Sequence, residues 1–260
     1  MQLKISRFVV TLLIVSVLML GGCSTNQVTA NSSSASTTTE ANTQALTEKT
    51  FVSEDRSETG MQDLPRLEGK ATVVMTVKGS PITIEVDGVD APITAGNFVD
   101  LVHRGVYDGL VFHRVIRQPE PFVVQGGDPQ TKDPKFAGAA GTGSFTDPKT
   151  GRARYIPLEI KSKGSQNPIY DKTFKEAGIT EPPVLQHKLG AVAMARSQMP
   201  SSASSQFYFA LADLKFLDGD YAVFGNVTSG MDVVNKIQQG DRIDSAKVTK
   251  GLEYLKNGGK

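Results

Sequence analysis

The residues best equipped for chemistry lie in two neighbouring stretches. They are Phe112-His113-Arg114-Val115-Ile116 and Phe122-Val123-Val124-Gln125-Gly126-Gly127-Asp128. Arg114 sets a permanently charged, fork-shaped donor among apolar side chains. A charge in such a strand is costly to bury unless a carboxylate pairs with it or a ligand uses it. Gln125 adds an amide that both donates and accepts. The ligand that suits such a site presents polar backbone to the arginine and an apolar ring to the side chains around it. His113 invites an acid–base role, but its setting reads as that of a hydrogen-bonded structural residue. Ser201, Ser202, Ser204 and Ser205 have no base placed to activate them and read as a solvated loop. Gly126-Gly127-Asp128 reads as a turn with a capping carboxylate.

These residues need strands to hold them. Ala71 to Lys78 and Pro81 to Val86 read as a pair joined around Gly79-Ser80, with Ile82, Ile84 and Val86 on one buried face. Further strands are predicted at 110–115, 122–125, 189–195, 207–210 and 222–227. Phe112 and Met194 read as core. A helix begins with Thr94 as N-cap, buries Phe98, Leu101 and Val102, and stops at Gly105. A second spans Met231 to Gln238, with Val233, Val234 and Ile237 inward and Ser229 near its start. Many short strands and two helices argue for a closed β-barrel with helical plugs. Between Asp128 and Leu189 runs a long excursion, with a possible edge strand at Tyr155 to Ile160 and a helical turn near Lys172 to Ala177.

The ends and the composition set bounds. Lys4 and Arg7 precede an apolar run, Phe8 to Leu20, too short for a comfortable membrane span and typical of a signal-peptide core. It leads into Leu20-Gly21-Gly22-Cys23, which resembles the lipobox of bacterial lipoproteins. Cys23, the one cysteine, has no disulfide partner and is the expected lipidation site. The alternative is an ordinary cleaved signal with an incidental cysteine. The expected organisation is a signal peptide over 1–22, a Ser/Thr-rich flexible tether over 23–68 and a folded domain over 69–256. A net charge of +1 and a pI near 7.8 give no footprint for nucleic acid. His103, His113 and His187 lack metal-site spacing, and no P-loop, GxGxxG turn or GxSxG elbow is present.

Taken in order, Phe112-His113-Arg114-x-Ile116, Phe122-x-x-Gln125-Gly126-Gly127-Asp128, Met194-Ala195, Ser205-Gln206-Phe207, Leu217-Asp218-Gly219 and Val223-Phe224-Gly225 resemble the cyclophilin family. Ala193-Met194-Ala195-Arg196 is similar to its bacterial branch. The excursion with Ile156-Pro157-Leu158-Glu159 resembles members from cyanobacteria and the chloroplast lumen. The resemblance implies a mainly β fold, a closed eight-stranded antiparallel barrel with a capping helix at each end and a long inserted loop. It implies peptidyl-prolyl cis-trans isomerase activity without a cofactor or metal. Arg114 and Gln125 are the implied catalytic residues. Ile116, Phe122, Val123, Ala195, Arg196, Ser197, Gln206, Tyr208, Phe216, Leu217 and Tyr221 are the implied substrate-binding set.

The reaction itself explains the residues. Rotation about an X-Pro bond breaks amide resonance, with a barrier of about 18–20 kcal/mol. The twisted proline nitrogen gains a lone pair, and a donor aimed at it binds the twisted state best. The expected partners are proline-containing polypeptides and, through lipidated Cys23, a membrane. The expected chain is a monomer, exported and anchored to the cell envelope or a thylakoid membrane. Alternatives are a non-turnover proline-binding module or chaperone, and a purely structural envelope protein with dispersed side chains. Three departures from the family pattern stand out. Phe216 replaces a frequent Trp that hydrogen-bonds cyclosporin, so weak binding of that drug is expected. Tyr221 replaces a frequent His, and Arg196 a frequent Asn. Extra residues around Pro119 and Glu120 could reshape the pocket's edge.

Overall fold

Alternation of apolar and polar residues forms the first hairpin in the computed structural model, which describes residues 58–258. Strands β1 (Lys70–Val77) and β2 (Ser80–Asp87) pair in unbroken register and bury Val73, Met75, Val77, Ile82, Ile84 and Val86. The turn uses Lys78 and Gly79, both at positive φ. The sheet continues with β3 (Arg114–Val115), β4 (Val123–Gly126), β5 (Ala191–Met194), β6 (Phe207–Ala210), β7 (Val223–Ser229) and β8 (Ile243–Lys250). Its order is β8-β1-β2-β7-β5-β6-β4-β3, and every pairing is antiparallel.

The fold is mainly β, as expected, but the ladder does not run full circle. Strands β8 and β3 are its two ends, and they are not ladder partners. Between them a bridge joins Val111 to Arg242, and Phe112 N–H donates to the Asp241 carbonyl at 2.8 Å. The strand predicted over 110–115 is therefore only Arg114–Val115. Strand β8 escaped the sequence reading. Its outer face carries Asp244, Lys247 and Lys250, and two register shifts against β1 break the alternation.

Helix α1 (Pro92–His103) lies across the core, with Phe98, Leu101 and Val102 buried. Phe98 meets Tyr107, Phe207 and Phe224 with ring centroids 5.2, 5.4 and 4.8 Å apart. Thr94 is not its N-cap. The helix begins at Pro92, its N-cap Ala91, three residues before Thr94, has no capping side-chain group, and the Glu159 carboxylate accepts the N–H groups of Ile93 and Thr94 instead, at 3.1 and 2.8 Å. Further helices are Glu58–Gln62, α2 (Phe174–Ala177), closed by a Thr173–Glu176 capping box, and α3 (Met231–Lys236), which follows Ser229 through Gly230 as N-cap and ends two residues before Gln238. Leu67 is fully buried, and Arg66–Leu67 pairs with Leu255–Lys256, so the packed chain starts before Gly69. The segment read as signal peptide, Cys23 and the tether up to residue 57 lie outside the described residues.

The excursion is built onto the rest rather than looping free. Arg154 pairs with buried Asp100 at 2.6 Å, Lys161 with Asp90 at 2.9 Å, and Glu159 caps α1. Glu159–Ile160 pairs with Ile169–Tyr170. Leu158, Ile160 and Phe174 pack with Ala222 in a small cluster of their own.

Candidate active site

Antiparallel register sets the site. Arg114 on β3 lies opposite Gln125 on β4, Gln125 opposite Tyr208 on β6, Tyr208 opposite Ala193 on β5, and Ala193 opposite Val223 on β7. Partners across a sheet share a face, so these five side chains form one transverse row. Adjacent to it Val123 lies opposite Ala210. Val123, Ala193, Tyr208, Ala210, Leu214 and Val223 make a second apolar cluster, apart from the main core. Phe122, Ala195, Leu217 and Tyr221 pack against it.

Arg114 is exposed, and its Nη1 donates to Gln125 Oε1 at 3.1 Å. Its guanidinium carbon lies 5.5 Å from the Phe122 ring centroid. Among the described residues it forms no ion pair with a carboxylate. Gln125 Nε2 donates to Gln206 Oε1 at 3.2 Å, and Gln206 Nε2 donates to the carbonyls of Gly141 and Gly143 at 3.0 and 2.9 Å. Both glycine N–H groups in turn donate to the buried Asp128 carboxylate, at 2.6 and 3.2 Å. Asp128 also accepts from Gln130 N–H, the capping role expected of it. A relay therefore runs from buried Asp128 through the start of the excursion to the Arg114 guanidinium. A side chain on Gly143 would collide with the Asp128 carboxylate, and Gly141 sits at positive φ against the His113 ring.

The rim is aromatic. Phe216 is 69 % exposed and stacks on Phe122, with centroids 6.0 Å apart. Tyr221 meets Tyr208 edge-on at 6.2 Å and lies beneath the Arg196 guanidinium, 4.7 Å from its carbon. Arg196 donates to the carbonyls of Asp220, Ser197 and Gln198, tying two loops together. Ser197 is exposed, and its hydroxyl donates to Ser202 Oγ at 2.8 Å. Ala195 N–H donates to the Gln206 carbonyl at 2.9 Å. Ile116 and Phe122 close the β3–β4 connection through a Phe122 N–H to Ile116 carbonyl bond of 3.0 Å. The residues around Pro119 are thus the tip of a hairpin, and Phe122 reaches Arg114.

Two expectations are corrected here. Both ring nitrogens of His113 are buried, and among the described residues neither makes a well-formed hydrogen bond. Burial holds its pKa below the usual histidine range, opposed by Asp128 and by the Val111 backbone, with Arg114 adding to the lowering. Ser204 and Ser205 are buried, not solvated. Ser204 Oγ donates to the Arg154 carbonyl and accepts from Phe145 N–H, and the Ser205 carbonyl accepts from Tyr107. Phe112 and Met194 are core, as predicted. Among the described residues no cluster of His, Cys, Asp or Glu is arranged to hold a metal ion.

An antiparallel eight-stranded sheet carrying an arginine and a glutamine beside an apolar cup has the form of a cyclophilin. Residues 72–255 match the family of cyclophilin type peptidyl-prolyl cis-trans isomerases, and the chain belongs to it. A protein of Synechocystis described as a thylakoid lumen peptidyl-prolyl cis-trans isomerase is 44 % identical over 75 % of this chain and 51 % of its own length. A chloroplast peptidyl-prolyl cis-trans isomerase of Arabidopsis thaliana is 39 % identical over 75 % of this chain and 46 % of its own length. The chain thus spans about half the length of these relatives. A cyclophilin type isomerase of Cryptosporidium parvum shares the fold, with a TM-score of 0.52 at 22 % identity, over 70 % of this chain and 98 % of its own. That protein is also solved in the presence of the dipeptide Ala-Pro.

Proposed function

We propose that this chain is a peptidyl-prolyl cis-trans isomerase that accelerates folding of exported proteins. The observation that carries the reading is the Arg114 guanidinium, held by Gln125 and bonded to no carboxylate among the described residues, at the edge of the apolar cluster. The proline ring enters the cup of Phe122, Val123, Tyr208 and Leu217. Arg114 donates to the proline nitrogen as the bond twists, and Gln125 fixes the guanidinium plane. Ile116, Ala195, Arg196, Ser197, Gln206, Phe216 and Tyr221 line the peptide's path and rim. Rotation transfers no proton or group, so the step needs no cofactor. The choice of ligand is in keeping with the Cryptosporidium protein having been solved in the presence of Ala-Pro.

Arg114 acts as one preorganised donor. Arg114→Ala should lose about two to three decades in kcat/KM, or about 3–4 kcal/mol of transition-state stabilisation. A protease-coupled or NMR exchange assay on an Ala-Pro peptide reads this directly. A loss below about tenfold removes the role given to Arg114. Wild-type protein that binds the peptide without accelerating its isomerisation would instead be a proline-binding module.

We infer an exported or lumenal location from the apolar leader and from the compartments named for the plant and cyanobacterial relatives. Lipid on Cys23 would hold the domain at a membrane through the segment before it. Mass spectrometry of the mature N-terminus tests this. Cleavage elsewhere, or a bare Cys23, removes the anchor.

A further inference from the structure

His187 is a buried titratable residue that the isomerisation does not use. It stands where the excursion ends, three residues ahead of the turn into β5. One oxygen of Asp218 accepts both its backbone N–H and its ring Nδ1–H, each at 2.8 Å. An acceptor at Nδ1 fixes the tautomer, because the neutral ring carries one hydrogen. Nε2 is then an acceptor, and it faces the Tyr208 hydroxyl at 3.0 Å. The Tyr208 O–H therefore donates to His187, and the two rings lie nearly parallel, 6.1 Å apart. Leu214 N–H donates to the His187 carbonyl at 2.7 Å, tying the same residue to the loop that leads to Phe216 and Leu217.

Tyr208 sits in the transverse row between Gln125 and Ala193, only 5 % exposed. A phenylalanine would fill nearly the same volume, so the hydroxyl is there for its bond. We propose that His187 is a positioning residue, which, held by Asp218, fixes the Tyr208 ring as the wall of the proline pocket and joins that wall to the rim loop. The proposal rests on the prolyl isomerase reading and deepens it.

Protonation of His187 turns Nε2 into a donor, and the Tyr208 hydroxyl must then reverse its bond. Burial holds the His187 pKa below the usual histidine range, while Asp218 pulls it upward. The charged and titratable groups around the pair are Asp218 and Tyr208 in contact, Lys188 next in the chain, Asp213 and Lys215 on the facing loop, and Tyr221, Arg196 and Arg114 on the side of Tyr208. The wall should therefore loosen in acid.

The test compares wild type with Tyr208→Phe and His187→Gln on an Ala-Pro peptide from pH 8 to pH 4.5, with melting followed in parallel. Tyr208→Phe should raise KM about fivefold, the worth of one hydrogen bond, and change kcat less than twofold. His187→Gln keeps an acceptor for Tyr208 and should lie between the two. If it fails to fold, Tyr208→Phe carries the test. A KM within twofold of wild type in Tyr208→Phe overturns the proposal, as does an acid-side fall in kcat/KM that Tyr208→Phe retains. If the wild type does not accelerate isomerisation, the activity reading fails separately. The same variants are then titrated for peptide binding by NMR shifts. A fivefold weaker Kd for Tyr208→Phe supports the positioning role, and an unchanged Kd overturns it.

Discussion

Arg114 was legible because its charge is out of keeping with its neighbours. Gln125 was legible from its spacing to the Gly-Gly turn. What supports them was not. Gln206, Asp128 and the Gly141–Gly143 pair come from three separate stretches, and only folding joins them into a relay. His187 likewise gave no signal, since its partners are 21 and 31 residues away. Phe216 bears on ligand choice at the same scale. Its phenyl ring stacks on Phe122 but offers no donor to cyclosporin. Binding should be weak, and Phe216→Trp should tighten it about fivefold, the worth of one hydrogen bond. A calorimetric titration of both proteins checks this. Unchanged affinity in the variant would mean that the rim geometry, not the missing indole N–H, limits the drug.

The elements were read best where one face is simply apolar. β1, β2, β6 and the buried face of α1 fall close to their predicted positions. β8 was missed because bulges destroy the period-two signal on which strand reading depends. The start of α1 was misread because its acceptor comes from residue 159, far outside any local capping pattern. That contact makes a prediction about the excursion as an element. Glu159→Ala leaves the Ile93 and Thr94 N–H groups buried without their acceptor, a cost of about 1–3 kcal/mol. The melting temperature should fall by several degrees. The isomerase activity proposed for the chain should survive in the folded fraction, because Glu159 is not in the Arg114 relay. An unchanged melting temperature would show that the cap contributes nothing.

At the scale of the whole molecule, acid should weaken the fold through its histidines. His113 and His187 both have pKa values lowered mainly by burial. The unfolded chain therefore binds protons that the folded one refuses. Stability falls as pH drops below about 6.5, the unfolded histidine value. Glu159 works the other way. Burial raises its pKa, so acidification relieves the cost of holding it ionised. Thermal melts at pH 7.5 and pH 5 on wild type and His113→Gln separate the two. The variant should lose less stability on acidification than the wild type, and an equal loss would clear His113 of the effect. The transverse row has a wider consequence, for how such a protein can change over time. Arg114, Gln125, Tyr208, Ala193 and Val223 meet only because their strands are in register. A single residue inserted within β4, β5 or β6 would turn part of the row to the opposite face. Insertions and deletions are therefore confined to the connections. The hairpin tip around Pro119 and the excursion after Asp128 are such connections. Lineages can lengthen those segments and acquire new docking or capping contacts while the pocket stays untouched.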